Sequence, residues 1–143
     1  MELSNRPVNG GYSTAPSLQH LVNSIVDNYR PAADRNNTQV LNDVKQEIAF
    51  GNVMQKAIEL MNDLLATVVV NSRNGEIHIT AEKFKDVVIV EIQERNNYNG
   101  YALSSSINSI APEAAALGGY ISIKGPQQKV TTISFSFPNN QAA

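Results

Sequence analysis

The sequence predicts an α+β protein, a two-layer α/β sandwich whose mixed, mostly antiparallel sheet carries helices on one face. Three observations predict it. Four segments alternate apolar and polar residues with the period of two that marks a half-buried strand. Other segments space their apolar residues along one face of a helix. The order is helix, short strand, helix, two strands, helix, two strands, with no internal repeat.

Taken in order, residues 1–15 are rich in Asn, Gly, Ser and Pro and predict a mobile N-terminal tail. Pro16 and Ser17 open a helix carrying Leu18, Leu21, Val22, Ile25 and Tyr29, with Pro31 expected to end it or to lie just beyond. Asp34 to Asn37 reads as a turn, and Thr38 to Lys45 as a short strand around Val40, Leu41 and Val44. Asn52 is a plausible N-cap for a helix whose face holds Val53, Ala57, Leu60, Met61, Leu64, Leu65 and Val68. The β-branched run Val68 to Val70 is expected to fray it, with Asn71 to Gly75 as the turn.

Ile77, Ile79 and Ala81 then alternate with Glu76, His78 and Thr80; Val88, Val90 and Ile92 repeat the pattern after Lys85-Asp86, predicting an antiparallel hairpin. Asn96 to Gly100 reads as a loop, and Ser104 to Ala116 as an Ala-rich helix that Pro112 must bend, restart or shorten. Gly118-Gly119 stops it. Ile121 and Ile123, then Ile133, Phe135 and Phe137, make two more strands joined through Gly125-Pro126. Residues 139–143 read as a C-terminal tail, so one domain spans 16–138.

Composition narrows the function classes. The longest apolar run, Leu64 to Val70, includes Thr67 and is too short to cross a bilayer. No charged N-terminal segment leads into an apolar stretch, so secretion is not indicated. With Cys 0, disulfides, thiolate nucleophiles and Cys-type zinc sites are excluded, which suits a cytoplasmic location. The formal net charge is -2 and the Lys and Arg residues are scattered along the chain, so neither nucleic acid nor an anionic membrane is expected as a partner. No His pair or Ser-His-Asp spacing supports metal binding or hydrolysis. His20 and His78 read as surface residues, and Ser104-Ser105-Ser106 as a helix start.

Several fragments carry a family resemblance. Leu18 to Asn28 leads into Tyr29-Arg30-Pro31, and Val53 to Ser72 is followed by Gly75-Glu76-Ile77-His78-Ile79. Leu117-Gly118-Gly119-Tyr120-Ile121-Ser122-Ile123 and Thr131 to Pro138 complete the series. In this order and spacing, from about Leu18 to Pro138, the chain resembles the Bergerat fold of the gyrase, Hsp90, histidine kinase and MutL superfamily. The closest texture is the ATP-binding domain of two-component sensor histidine kinases.

The resemblance implies a nucleotide site, and the matching residues depart from it. That family's long helix presents two Asn residues one turn apart, the second helping to hold magnesium on the triphosphate. The matching positions are Asp63 and Thr67. Asp63 retains a group able to act as base, whereas a neutral hydroxyl at Thr67 is a poorer magnesium ligand than an amide carbonyl. Without the resemblance, both read as the polar rim of an amphipathic helix. The family's Asp-x-Gly-x-Gly motif, whose Asp reads the adenine amino group, falls on Glu94-Arg95-Asn96-Asn97-Tyr98, so Asn96 and Tyr98 replace both glycines. By itself Glu94 reads as a solvated strand end. Where a glycine-rich run and a mobile lid would precede the late helix, only Asn99-Gly100-Tyr101-Ala102-Leu103 stands, so the lid is expected to be deleted and Gly100 is the one glycine left to approach phosphates.

Three readings follow. The first is a non-catalytic histidine-kinase-like domain, without a nucleotide cofactor, that binds a histidine kinase or response regulator through a surface around Tyr98, Tyr101 and Tyr120. The second is a weak ATP- and Mg-binding kinase domain using Asp63 and Glu94. The third is an unrelated α/β ligand-binding module, which a different sheet order would favour.

Overall fold

The computed structural model describes residues 17–46, 48, 55–96 and 98–138. Both predicted tails and the proposed cap at Asn52 lie outside the described residues. Ser17 is extended and its side chain accepts from the His20 N–H, which starts helix α1, Leu18–Arg35. The helix does not end at Pro31 but runs one turn past it. Pro31 and Asp27 are both exposed, so the carbonyl that loses its i+4 donor faces water, and the proline is tolerated. The expected turn at Asp34 is correspondingly shortened to Asn36 and Asn37, and Asn37 adopts a left-handed φ of 52°.

Strand β1, Gln39–Asn42, is shorter than the predicted stretch but falls within it. Helix α2, Gln55–Val70, buries Ala57, Leu60, Met61, Leu64, Leu65, Val68 and Val69. Its end does not fray, because burial of Val68 and Val69 outweighs their weak helix propensity. The hairpin follows as β2, Glu76–Phe84, and β3, Val87–Glu94, turning through Lys85 with φ 57°. Helix α3, Gly100–Ala116, begins four residues before the sequence indicated, capped by the Asn99 side chain, which accepts from the Ala102 N–H. Ser104 to Ser106 are therefore interior to the helix, and Pro112, again exposed, does not interrupt it. Strands β4, Tyr120–Lys124, and β5, Thr131–Pro138, complete the chain.

The five strands lie in the order β1-β2-β3-β5-β4, with β1 parallel to β2 and the other pairs antiparallel. One face of the sheet points Ile77, Ile79, Val88, Val90, Ile92, Ile133 and Phe135 into the core formed with the helices, while the alternate residues point outward. The α3–β4 corner is held tightly. A Cβ at Gly119 would stand 2.4 Å from the Ser136 carbonyl oxygen, so only glycine lets the chain pass so close to β5.

Candidate functional site

The loops at one end of the sheet collect most of the predicted site residues. Glu94 is the last residue of β3 and shares its face with Val88, Val90 and Ile92, so alternation turns its side chain into the protein. It is not a solvated strand end. It is 1% exposed, among the most buried side chains in the molecule. A buried carboxylate must find donors, and the structure supplies two. Ser72, just beyond α2, donates its hydroxyl to Oε2 at 2.6 Å, and the Asn96 backbone N–H donates to Oε1 at 3.0 Å. Ser72 in turn accepts from the Thr38 hydroxyl at 3.2 Å. Gly75 lies against the same carboxylate, since a Cβ there would come within 2.6 Å of Oε2. Thr38, Ser72 and Glu94 thus form a buried polar chain at the end of the core.

Asn96 uses its side chain rather than its backbone freedom. The described non-glycine residues with positive φ are Asn37, Asn74 and Lys85, and Asn96 is not among them. Its Nδ2 donates to the carbonyls of Arg73 and Asn74, tying the α2–β2 turn to the exit of β3. Tyr98 is 59% exposed, with the Arg73 guanidinium 5.3 Å above its ring. Asn97 lies outside the described residues. β3 passes to α3 through residues 95–99 alone, which leaves no length for a lid, and Gly100 is buried as the first residue of the helix.

Asp63 and Thr67 lie one turn apart on α2, as their spacing requires, but they act on each other. The Thr67 hydroxyl donates to the Asp63 carbonyl at 2.8 Å. The Asp63 side chain is exposed and borders a groove of about 480 Å³ between α1 and α2, with Ile25, Asn28, Ile58 and Asn62. Glu94 and Thr67 are not part of that groove. Nor do the three tyrosines form one patch. Tyr101 accepts from Gln127 in the β4–β5 turn, whereas Tyr120 begins β4 at the other end, about 13 Å away along the strand.

His78 lies on the outer sheet face, as alternation predicts, but is not a free surface residue. Its side chain is only 15% exposed, held between Asp43 at 3.2 Å and Glu76 at 2.9 Å. His20 is exposed in the first turn of α1. Among the described residues no group of three or more His, Cys, Asp or Glu could hold a metal ion, and no helix is long and apolar enough to cross a membrane.

An open α+β sandwich of three helices and a five-stranded mixed sheet in this order is the fold of histidine kinase ATP-binding domains. Solved structures agree. A histidine kinase from Burkholderia phymatum superposes with TM-score 0.73 at 12% identity, over 90% of this chain and 72% of that one. The Acinetobacter baumannii histidine kinase AdeS gives TM-score 0.71 at 13% identity, over 92% and 69%. The isolated catalytic domain of the histidine kinase ThkA gives 0.65 at 14%, over 86% and 92%. At the sequence level no family model and no curated protein matches the chain.

Proposed function

We propose that this domain works in signal transduction through protein–protein contacts and does not turn over ATP. The observation that carries this reading is the state of Glu94. At the position where the resemblance places the adenine-reading acid, both carboxylate oxygens are engaged by Ser72 and Asn96, and Gly75 is packed against them. A purine amino group would have to reach a carboxylate that is 1% exposed and already holds an internal donor on each oxygen. The magnesium position points the same way, because the resemblance puts there the neutral hydroxyl of Thr67, a weaker ligand than an amide carbonyl. The direct passage from β3 to α3 supplies no segment to cover a triphosphate.

The partner under this reading is a histidine kinase or a response regulator in a cytoplasmic pathway. ThkA, whose fold this chain shares, has been solved in complex with the response regulator TrrA; the superposition there has TM-score 0.64 at 16% identity and spans 41% of that kinase chain. Calorimetric titration with ATP and ADP, with and without magnesium, tests the proposal. No heat above dilution is expected; a Kd tighter than about 100 μM, roughly 5.5 kcal/mol, overturns it. The alternative, weak Mg-ATP binding through Asp63 and Glu94, predicts instead a thermal shift with Mg-ATP that vanishes in Asp63→Ala.

A further inference from the structure

The 11 Lys and Arg residues are scattered in sequence, but the fold gathers more than half of them. Strand pairing places Gln39 beside Glu76, Ile77 beside Glu94, Glu94 beside Thr131, and Thr132 beside Lys124, so these residues mark one end of the sheet. The C-termini of α1 and α2 reach the same end: Asn36 Nδ2 donates to the Val69 carbonyl, and the Asn74 N–H donates to the Asn36 carbonyl. Arg30, Arg35, Arg73, Arg95, Lys124 and Lys129 therefore stand together. The carboxylates that reach the surface here are Asp27, Asp34 and Glu76; Asp27 contacts Arg30 and Glu76 is engaged by His78. A chain of net charge -2 thus carries a basic end.

That end is concave. A cavity of about 750 Å³ is lined by Arg30, Arg95 and Lys129, by the carboxylates Asp34 and Glu76, and by the amides of Asn37, Asn74 and Asn96. Its rim is braced by the Asn37 Nδ2 to Asn74 Oδ1 hydrogen bond at 2.8 Å and by the two bonds from Asn96 to the α2–β2 turn. The cations are weakly engaged. Arg30 has only an exposed i,i+3 contact with Asp27 at 3.7 Å, which solvent screens. Arg95 donates to the neutral Gln93 amide oxygen, and Lys129 has no side-chain partner among the described residues.

We propose that this end docks an acidic segment of the partner protein, seating an Asp or Glu carboxylate in the cavity between Arg30, Arg95 and Lys129. The proposal rests on the reading of the domain as a protein-binding module. The planar guanidinium fork matches a carboxylate in two-point contact, and the neighbouring amides can complete its acceptor sites. Phosphates would meet the same cations, so an acidic peptide is favoured over a nucleic acid by that reading of the domain; Asp34, which also lines the cavity, limits how many acids it can seat.

Fluorescence anisotropy with a labelled peptide of alternating Glu and Gly tests it, with a Lys–Gly peptide as control. The acidic peptide is expected to bind, and to weaken as salt rises. An Arg95→Glu, Lys129→Glu double variant is expected to bind about tenfold more weakly. A Lys83→Glu, Lys85→Glu variant at the β2–β3 turn, the opposite end, is expected to bind as the parent does. Matching circular dichroism confirms that each variant is folded. Equal losses in both variants, or binding of the acidic peptide no tighter than that of the control, overturn the proposal. Tighter binding of tripolyphosphate or a single-stranded oligonucleotide than of the acidic peptide also overturns it, in favour of phosphate recognition. The ATP titration is separate: nucleotide binding would sink the non-catalytic reading alone, and failure of the peptide to bind would sink the docking site alone.

Discussion

Replacing Ser72 by Ala removes one oxygen from the most buried polar cluster of the protein, and the structure sets the expected size of the effect. Ser72 is 0% exposed and Glu94 1%, so water cannot take over the lost bond. The hydroxyl donates to Glu94 Oε2 at 2.6 Å, a short bond to a carboxylate. Hydrogen bonds to charged groups contribute about 1.5–3 kcal/mol, and leaving the acceptor short of a donor costs a similar amount. Thr38 does not add to the loss, because its hydroxyl keeps the Asn36 carbonyl as a second acceptor. We therefore expect Ser72→Ala to destabilise the domain by about 2 kcal/mol. The assay is urea unfolding followed by circular dichroism, with the midpoint falling and the slope unchanged. Glu94→Gln is the companion measurement. It keeps the shape, accepts from the Asn96 N–H and can donate to the Ser72 oxygen, so its cost should stay within about 1 kcal/mol. If Ser72→Ala unfolds within 0.5 kcal/mol of the parent, roughly the margin of an ordinary surface substitution, the hydroxyl is not a needed donor and the case for a closed Glu94 fails.

The remaining expectations are more local. Gly75→Ala puts a methyl against Glu94 Oε2 and Ser72 Oγ and should cost about 2 kcal/mol in the same unfolding assay. Gly119→Ala should destabilise more than Gly118→Ala. The first collides with the Ser136 backbone oxygen, whereas the second meets nothing nearer than 3.8 Å and bears only the strain of φ +80°, about 1–2 kcal/mol. Thr67→Asn puts an amide where the resemblance expects a magnesium ligand and, on the proposed reading, should give no Mg-ATP binding by calorimetry, because Glu94 and the short β3–α3 passage are unchanged.

Legibility followed the range of the interactions involved. The alternation of Ile77, Ile79 and Ala81, or of Ile133, Phe135 and Phe137, is a local signal, and the structure returns it as strands with those residues inside. Pro31 and Pro112 misled because a proline's cost depends on whether the freed carbonyl meets water, which sequence does not say. The start of α3 was hidden because Asn99, its cap, sits in a run of Asn residues that reads as a loop. Glu94 was misjudged for a longer-range reason. An acid at a strand end is usually wet, and its burial here depends on Ser72, 22 positions earlier. The basic end was invisible for the same reason, since its cations come from five separate stretches that only strand pairing brings together.

On the proposed non-catalytic reading, the Glu94 cluster also bears on how this fold can stand without a nucleotide. A carboxylate at the inner end of β3 is expensive to bury unless something satisfies it. In a nucleotide-binding site part of that satisfaction would come from the ligand; here Ser72 and Asn96 provide it within the chain. The same Asn96 ties the α2–β2 turn to β3, and Arg73 from that turn covers Tyr98. The groups that would have to open for adenine are therefore the groups that close the end of the core. Restoring an Asp at position 94 alone would shorten the side chain by one methylene and pull it away from both donors, so it would loosen the fold without offering a ligand a prepared site. On this argument stability and nucleotide binding compete for one carboxylate, and the surface left by that competition, braced by Asn96 and lined by Arg95, is the one proposed to meet the partner.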